Sequence, residues 1–405
     1  MIFEFSHITL YYDAMKIAHV IPFFAPAWSY GGPVKVCLDL SRELVIRHNQ
    51  VTVLTTDTYD HLRRIDKVCE EMNGVKVLRF KNISNRLAKR SNLYLPVSFK
   101  KYFKQNVERY DIVHLHAFYT YQNIIASKYC VKYNIPYVLH LHEKFDATRE
   151  MGKSAIKKVF LRLWGKSILK KAKKILVLSQ NEKANLLKFD ETLRDKIEII
   201  PNPAPNYLGK CQNKSALRKK YNLSPNDRVI LSLSRLTKLK GIDLLINAFA
   251  LLVKKNNKFK LIIAGPNEGG YIRELEQIVK SHKIEKNVIF TGEADQKTKN
   301  ELFCISDIFA LFSRYESFGL TTLESLAHGL PVCLSKNVGL SQEVHNKKCG
   351  LIVTDPCNQK RTALELKRAV FSRVEFAVNC RGIVDEFSID KIIDRVISIY
   401  KEIIK

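Results

Sequence analysis

The chain has 405 residues, 46% of them apolar, and carries 67 Lys/Arg against 40 Asp/Glu for a net charge of +27. That length exceeds one comfortable core, so two or three domains are expected, and the charge calls for an anionic partner without naming it. No apolar run approaches the ~18–20 residues of a membrane span, nothing resembles a cleavable secretory leader, and nine scattered cysteines without a Cys-x-x-Cys pair suggest reduced thiols in a cytoplasmic protein.

Residues 1–14 read as an appendage, because Met15-Lys16-Ile17 looks like the start of the first strand. Lys16–Ile21 is a short apolar strand. A loop follows, and Gly31-Gly32-Pro33 opens a helix whose Val34, Cys37, Leu38, Ser41, Leu44 and Val45 share one face. A Gly-Gly pair after a strand and before a helix lets backbone approach a phosphate. Further strands are predicted over 51–55, 75–80, 111–115, 137–141, 175–178 and 197–200. Strands alternating with helices argue a parallel sheet covered on both faces. His114 and His116 end one strand, and His140 and His142 end the next. Alternation places each pair on a single face. A strand-end histidine is more often structural, and no carboxylate or Cys spacing here supports a metal site.

Pro201, Pro203 and Pro205 mark a hinge. A second series of strands is predicted over 228–233, 260–264, 287–291, 308–312, 331–334 and 351–354, and an amphipathic helix over 390–404. Two Rossmann-like domains would leave a cleft, with ligands beyond the carboxyl ends of the strands. Ser234-Arg235-Leu-Thr-Lys-Leu-Lys240-Gly241 follows the first strand of the second series. Arg235 and Lys240 suit a diphosphate, one as a planar fork and one as a point charge; Lys238 is the alternative to Lys240. A solvated basic turn is the plainer account of the same residues.

The densest signal is Arg314-Tyr-Glu-Ser-Phe-Gly-Leu-Thr-Thr-Leu-Glu-Ser-Leu-Ala-His-Gly-Leu-Pro-Val332. Glu316 lies on a loop leaving a strand, and Glu324 lies a turn into the next helix. The helix N-terminus between them favours anions, and the carboxylates can accept hydrogen bonds from hydroxyls. This segment resembles the Glu-x7-Glu motif of the family 4 retaining glycosyltransferases, and the resemblance extends over roughly residues 15–405. It implies the α/β GT-B fold: a Rossmann-like acceptor domain over 15–205, a Rossmann-like nucleotide-sugar domain over 206–385 facing it across a cleft, and a helix over 386–405 that crosses back.

It also implies roles. Glu316 contacts donor-sugar hydroxyls and Glu324 the nucleotide ribose. Backbone at Phe318, Gly319 and Leu320 contacts sugar and phosphate, and Arg235 and Lys240 hold the leaving diphosphate. Gly31 and Gly32 touch the donor phosphate, and His142 approaches the sugar's primary hydroxyl. Ser234 replaces the family's usual Gly, Glu143 its Gly after the His, and Pro203 its Gly in the hinge. The loop Gly265-Pro-Asn-Glu-Gly-Gly270 resembles one near the nucleotide. The implied reaction moves a hexosyl-type sugar from a nucleotide-sugar to an acceptor hydroxyl. It proceeds with retention, without metal or further cofactor, in glycolipid, polysaccharide or lipid-linked glycan assembly.

Two other classes compete: a nucleotide-sugar epimerase of related fold, and a non-catalytic basic protein that binds nucleic acid or membrane. No recognised nucleic-acid module appears. Residues 86–174 hold 20 Lys/Arg and 5 Asp/Glu. Within them Gly152–Lys174 carries nine Lys/Arg and no acid, with Ile156, Phe160, Leu163 and Trp164 at helical spacing. That pattern suits either a helix packed on the sheet or docking on an anionic membrane, helped by Tyr94, Phe99, Tyr102 and Phe103.

Overall fold

The computed structural model of the chain describes residues 14–86, 88, 94–142, 154–208, 211 and 214–404. Residues 1–13 of the expected appendage lie outside the described residues, as do Glu143, Gly152 and Lys153. So do the side chains of residues 154–156.

Two sheets organise the chain. The first contains β1 (Lys16–Val20), β2 (Gln50–Thr56), β3 (Cys69–Met72), β4 (Val75–Phe80), β5 (Ile112–His116), β6 (Tyr137–His140), β7 (Lys174–Val177) and β8 (Ile197–Ile199). Its order is β3-β4-β2-β1-β5-β6-β7-β8. β3 pairs antiparallel to β4 at the edge; the sequence reading missed it because Cys-Glu-Glu-Met has neither an apolar run nor alternation. The second sheet contains β9 (Arg228–Leu233), β10 (Phe259–Ala264), β11 (Val288–Gly292), β12 (Ile308–Leu311), β13 (Val332–Ser335) and β14 (Gly350–Val353). Its order is β11-β10-β9-β12-β13-β14, and its pairs are parallel.

The continuous apolar runs of β9 and β12 follow from burial on both faces. Val229, Leu231, Phe309 and Leu311 enter one core layer. Ile230, Ile308, Ala310 and Phe312 enter the opposite one. A buried ion pair, Asp307 with Arg218, sits at the base of this sheet. Asp307 accepts from Arg218 (2.9 Å) and the Val229 N–H (2.9 Å), and it pairs with Lys214 (3.1 Å).

The chain forms two compact units. One takes the described residues of Met1–Leu176, Asp190–Glu198 and Arg395–Lys405; the other takes Val177–Phe189 and Ile199–Asp394. The last helix, Ile389–Ile404, ends in the first unit. There Tyr400 is fully buried and its hydroxyl lies 2.5 Å from His114 Nδ1. Among the described residues no helix is long and apolar enough to cross a membrane.

Two expectations need correction. Cys211 and Cys304, 93 residues apart, form a disulfide where all nine cysteines were expected as thiols; seven remain free. The helix Gln296–Ile305 packs on the helix Lys214–Lys220, which brings the two segments together. In addition, Tyr94, Phe99 and Phe103 are core residues rather than docking aromatics. Phe99 packs edge-on against Phe80 at 5.3 Å and stacks on Phe103 at 5.5 Å. Tyr94 meets Phe23 at 5.6 Å.

Candidate active site

In the second unit the loops after β9, β10, β12 and β13 leave the same edge of a parallel sheet, so their residues gather there. The Arg235–Gly241 turn follows β9. Gly241 has φ +63°, and a Cβ there would stand 2.0 Å from the Phe312 carbonyl oxygen, so only glycine lets this turn lie against the end of β12. Arg314 ties the two loops together. Its backbone N–H donates to the Leu239 carbonyl (2.8 Å), and its guanidinium grips Asp243 with two bonds (2.9 and 2.6 Å). Burial alone would raise the Asp243 pKa, but Arg314 holds it below the ordinary carboxylate value.

This arrangement brings Lys240 against Glu316 in a direct ion pair, both side chains largely buried. The Glu316 loop is gripped in turn by the Asn337–Leu340 segment after β13. Glu316 N–H donates to Asn337 (3.0 Å), Gly339 N–H to Glu316 (2.9 Å) and Leu340 N–H to Phe318 (3.1 Å). A Cβ on Gly339 would sit 2.0 Å from the Ser317 carbonyl oxygen.

Gly319, at φ +103°, then starts the helix Leu320–Ala327, whose N-terminus has no side-chain cap. Uncapped first-turn N–H groups are donors for an anion. Phe318 is buried in the core beneath, so this position offers a ligand its backbone rather than its ring. Glu324 is held by Lys299 at 2.6 Å, a partner on the helix Gln296–Ile305. Arg235 is exposed and pairs with Glu268 at 2.8 Å. Lys238, the alternative to Lys240, points instead to Glu274 at 3.1 Å. A pocket of about 490 Å³ opens beside this turn, lined by Thr237, Lys238, Glu268, Tyr271 and Glu274.

Glu182 was not singled out in the sequence. It is buried on the helix Gln180–Phe189, accepts the Leu178 N–H at 2.7 Å and touches Ser317. Burial pushes its carboxyl up to about 8, against the lowering effect of those two bonds. No spacing rule would have found Glu182, Asp243, Lys299 or Gly339, because each acts through a long-range contact.

In the first unit, Gly31 has φ +80° and precedes the helix Gly32–Ile46, with open space where a Cβ would stand. The helix begins at Gly32, so Pro33 is its second residue. His142 follows β6 in the left-handed region at φ 53°, an uncommon conformation for a residue with a Cβ. Its Nε2 lies 2.8 Å from His116 Nδ1.

The family described as "Glycosyltransferase Family 4" matches residues 30–205, and the one described as "Glycosyl transferases group 1" matches residues 213–381. The chain belongs to the glycosyltransferases. This glycosyltransferase is 26% identical to an uncharacterized glycosyltransferase of Methanocaldococcus jannaschii, over 96% of its own length and 98% of the relative's. It is 29% identical to the O-antigen biosynthesis glycosyltransferase WclY of Escherichia coli, over 83% and 84% of the two chains. Anabaena HepE in complex with UDP-glucose has the same fold, with a TM-score of 0.74, 19% identity and coverage of 96% and 100%. The glycosyltransferase thus has two Rossmann-like parts of GT-B type.

The geometry sorts the expected residues. Arg235, Lys240, Glu316, Phe318, Gly319, Leu320 and Glu324 lie on loops and one helix start at a single sheet edge. Gly31, Gly32 and His142 belong to the first unit.

Proposed function

We propose that this glycosyltransferase moves a hexosyl-type sugar from a nucleotide-sugar to an acceptor hydroxyl with retention of configuration. The observation that carries this reading is the Lys240–Glu316 ion pair beside the uncapped N-terminus at Gly319. It sets a cation for phosphate against a carboxylate for sugar hydroxyls, next to N–H donors for an anion. Each member of the pair holds the other in place before donor arrives.

In the reaction the bond between anomeric carbon and diphosphate oxygen breaks. The acceptor oxygen bonds to the same face of that carbon, and its proton passes to the departing phosphate. Arg235, Lys240 and the helix N–H groups stabilise the charge that develops on the diphosphate. They supply the positive charge that a divalent ion supplies elsewhere, so the reading is metal-independent. Glu324 takes the ribose hydroxyls, and Gly31, Gly32 and His142 serve the donor as the family resemblance implies. We assign residues 15–205 to acceptor and 206–385 to donor, with 386–405 as the returning helix.

The relatives support the substrate class. HepE is described with UDP-glucose and WclY with O-antigen biosynthesis, which fits glycolipid, polysaccharide or lipid-linked glycan assembly.

A lipid-linked acceptor also fits the surface of the Ser154–Lys171 helical segment. Val159, Leu163 and Trp164 are exposed there, and Lys158, Arg162 and Lys166 are exposed among them. We read this face as a peripheral contact with anionic lipid on the cytoplasmic side of the cell membrane.

A nucleotide-sugar panel read by thermal shift tests the donor reading. Ligand at 100 times its Kd adds about 2.7 kcal/mol of stability. If no nucleotide-sugar shifts the transition, the proposal falls. Donor converted equally well without acceptor points to an epimerase instead.

A further inference from the structure

Five imidazoles form one buried layer on a single face of the first sheet. Register sets His19 of β1 opposite His114 of β5, and His116 opposite His140 of β6. The rings stack, at 4.1 Å for His114–His116 and 3.7 Å for His140–His142. Within the layer three rings are joined end to end. His19 Nδ1 lies 2.8 Å from His116 Nε2, and His116 Nδ1 lies 2.8 Å from His142 Nε2. Cys37 Sγ stands 3.7 Å from both nitrogens of the first contact.

A zinc ion on His19, Cys37 and His116 is the obvious alternative. Two imidazole nitrogens bound tetrahedrally at ~2.0–2.1 Å would stand about 3.3 Å apart. The 2.8 Å here is a hydrogen-bond separation. Burial also pushes the Cys37 thiol away from the thiolate a metal needs.

Each ring in the series is buried and held neutral by burial, so each carries one N–H. Three protons over two contacts leave two arrangements, which run in opposite directions. His19 Nε2 decides between them. It is buried and has no hydrogen-bond partner among the described residues. Leaving a lone pair there is cheaper than leaving an N–H, since buried orphan donors are the rarer defect. The proton therefore sits on His19 Nδ1 and donates to His116 Nε2. His116 Nδ1–H then donates to His142 Nε2, and the His142 proton is forced onto Nδ1.

We propose that His116, backed by His19, is a positioning residue that fixes His142 as the Nδ1–H tautomer, a hydrogen-bond donor toward a hydroxyl of the donor sugar. The hydroxyl's role rests on the functional reading above; the tautomer does not. One hydrogen bond of ordinary strength biases the tautomer about tenfold.

Long-range proton–nitrogen spectra of protein labelled with 15N-histidine read each ring's tautomer without any donor present, with His142→Gln assigning the signal. Wild type should show His142 protonated on Nδ1. His116→Phe should release it to a mixture, and His116→Asn, which keeps an amide N–H near the Nδ1 position, should restore it. His19→Phe is the second variant should His116→Phe fail to fold, and it too should release His142. Nε2–H in wild type, a His142 signal unmoved by both Phe variants, or stoichiometric zinc in the purified enzyme would each overturn the proposal. A fixed tautomer with normal sugar transfer in His142→Gln would support the relay and count against the functional role of His142 alone.

Discussion

Lys240 and Glu316 neutralise each other, so truncating one leaves the other charged, largely buried and unpaired. Arg235 is different, because its exposed pair with Glu268 adds little to stability. Arg235→Ala and Lys240→Ala should each lower kcat about 10²–10³-fold, the usual loss for a donor aimed at developing charge. Glu316→Ala should also lower turnover strongly, because it removes the acceptor for sugar hydroxyls and leaves Lys240 without its partner. Circular dichroism should show the fold retained. Glu324→Ala should chiefly raise KM for the donor, because it removes the acceptor assigned to the ribose hydroxyls; it also frees Lys299. Normal rates in all four would dismantle the assigned site.

Glu182 makes a separate prediction at this scale. Burial raises its folded pKa to about 8 from the ordinary 4.5, so between those pH values the native state binds more protons than the unfolded chain. Its contribution is complete below 4.5 and is lost as pH rises toward 8. Glu182→Gln should flatten the decline in Tm between pH 5 and 8, as calorimetry would register. A parallel decline in both proteins would refute it.

At the level of elements, the basic segment after β6 turned out to have two apolar faces. Phe160, Leu161, Ile168 and Leu169 face the core, while Leu163 and Trp164 face out. Helical spacing alone grouped Phe160 with Leu163 and Trp164, and only burial separates them. Lys174 leaves the basic face altogether, bonded to Glu198 at 3.0 Å and near Glu402 at 3.3 Å. The remaining cations each contribute about 1 kcal/mol at most near an anionic surface. Co-sedimentation with vesicles containing anionic lipid should therefore be seen and should weaken with salt. It should drop when Lys158, Arg162 and Lys166 are changed to Glu, or when Leu163 and Trp164 are changed to Ser. Equal binding to neutral vesicles would mean the charge plays no part.

For the molecule as a whole, the histidine layer should make the first unit acid-labile. His19 and His142 are lowered to about 3 by burial, and His114, His116 and His140 lie well below 6.5. The unfolded chain takes up these protons near 6.5 and the folded one does not. Stability is thus complete above 6.5 and falls as pH drops. Each ring contributes up to about 1.4 kcal/mol per pH unit. The transition temperature of this unit should therefore fall as the pH is lowered from 6.5 towards 5. A calorimetric transition that stays put between pH 7.5 and 5 would show that the layer is solvated.

The sequence by itself determined the alternation of strands and helices, the two series of strands and the loops that carry Arg235, Lys240, Glu316 and Gly319. These are local properties: apolar period, a glycine before a helix, polar residues just past a strand. The edge strand Cys69–Met72 escaped because its residues have no such pattern. Tertiary structure alone decided which charges meet. Asp243 reaches Arg314, Lys299 reaches Glu324, Gly339 makes room for the Ser317 carbonyl, and Cys211 meets Cys304, all across distances in sequence that no period encodes. The histidines show the division most clearly. Alternation put His114 with His116 and His140 with His142, two residues apart. Only the order of strands β1, β5 and β6 stacked them with His19 into one layer, because sheet register couples residues about a hundred positions apart.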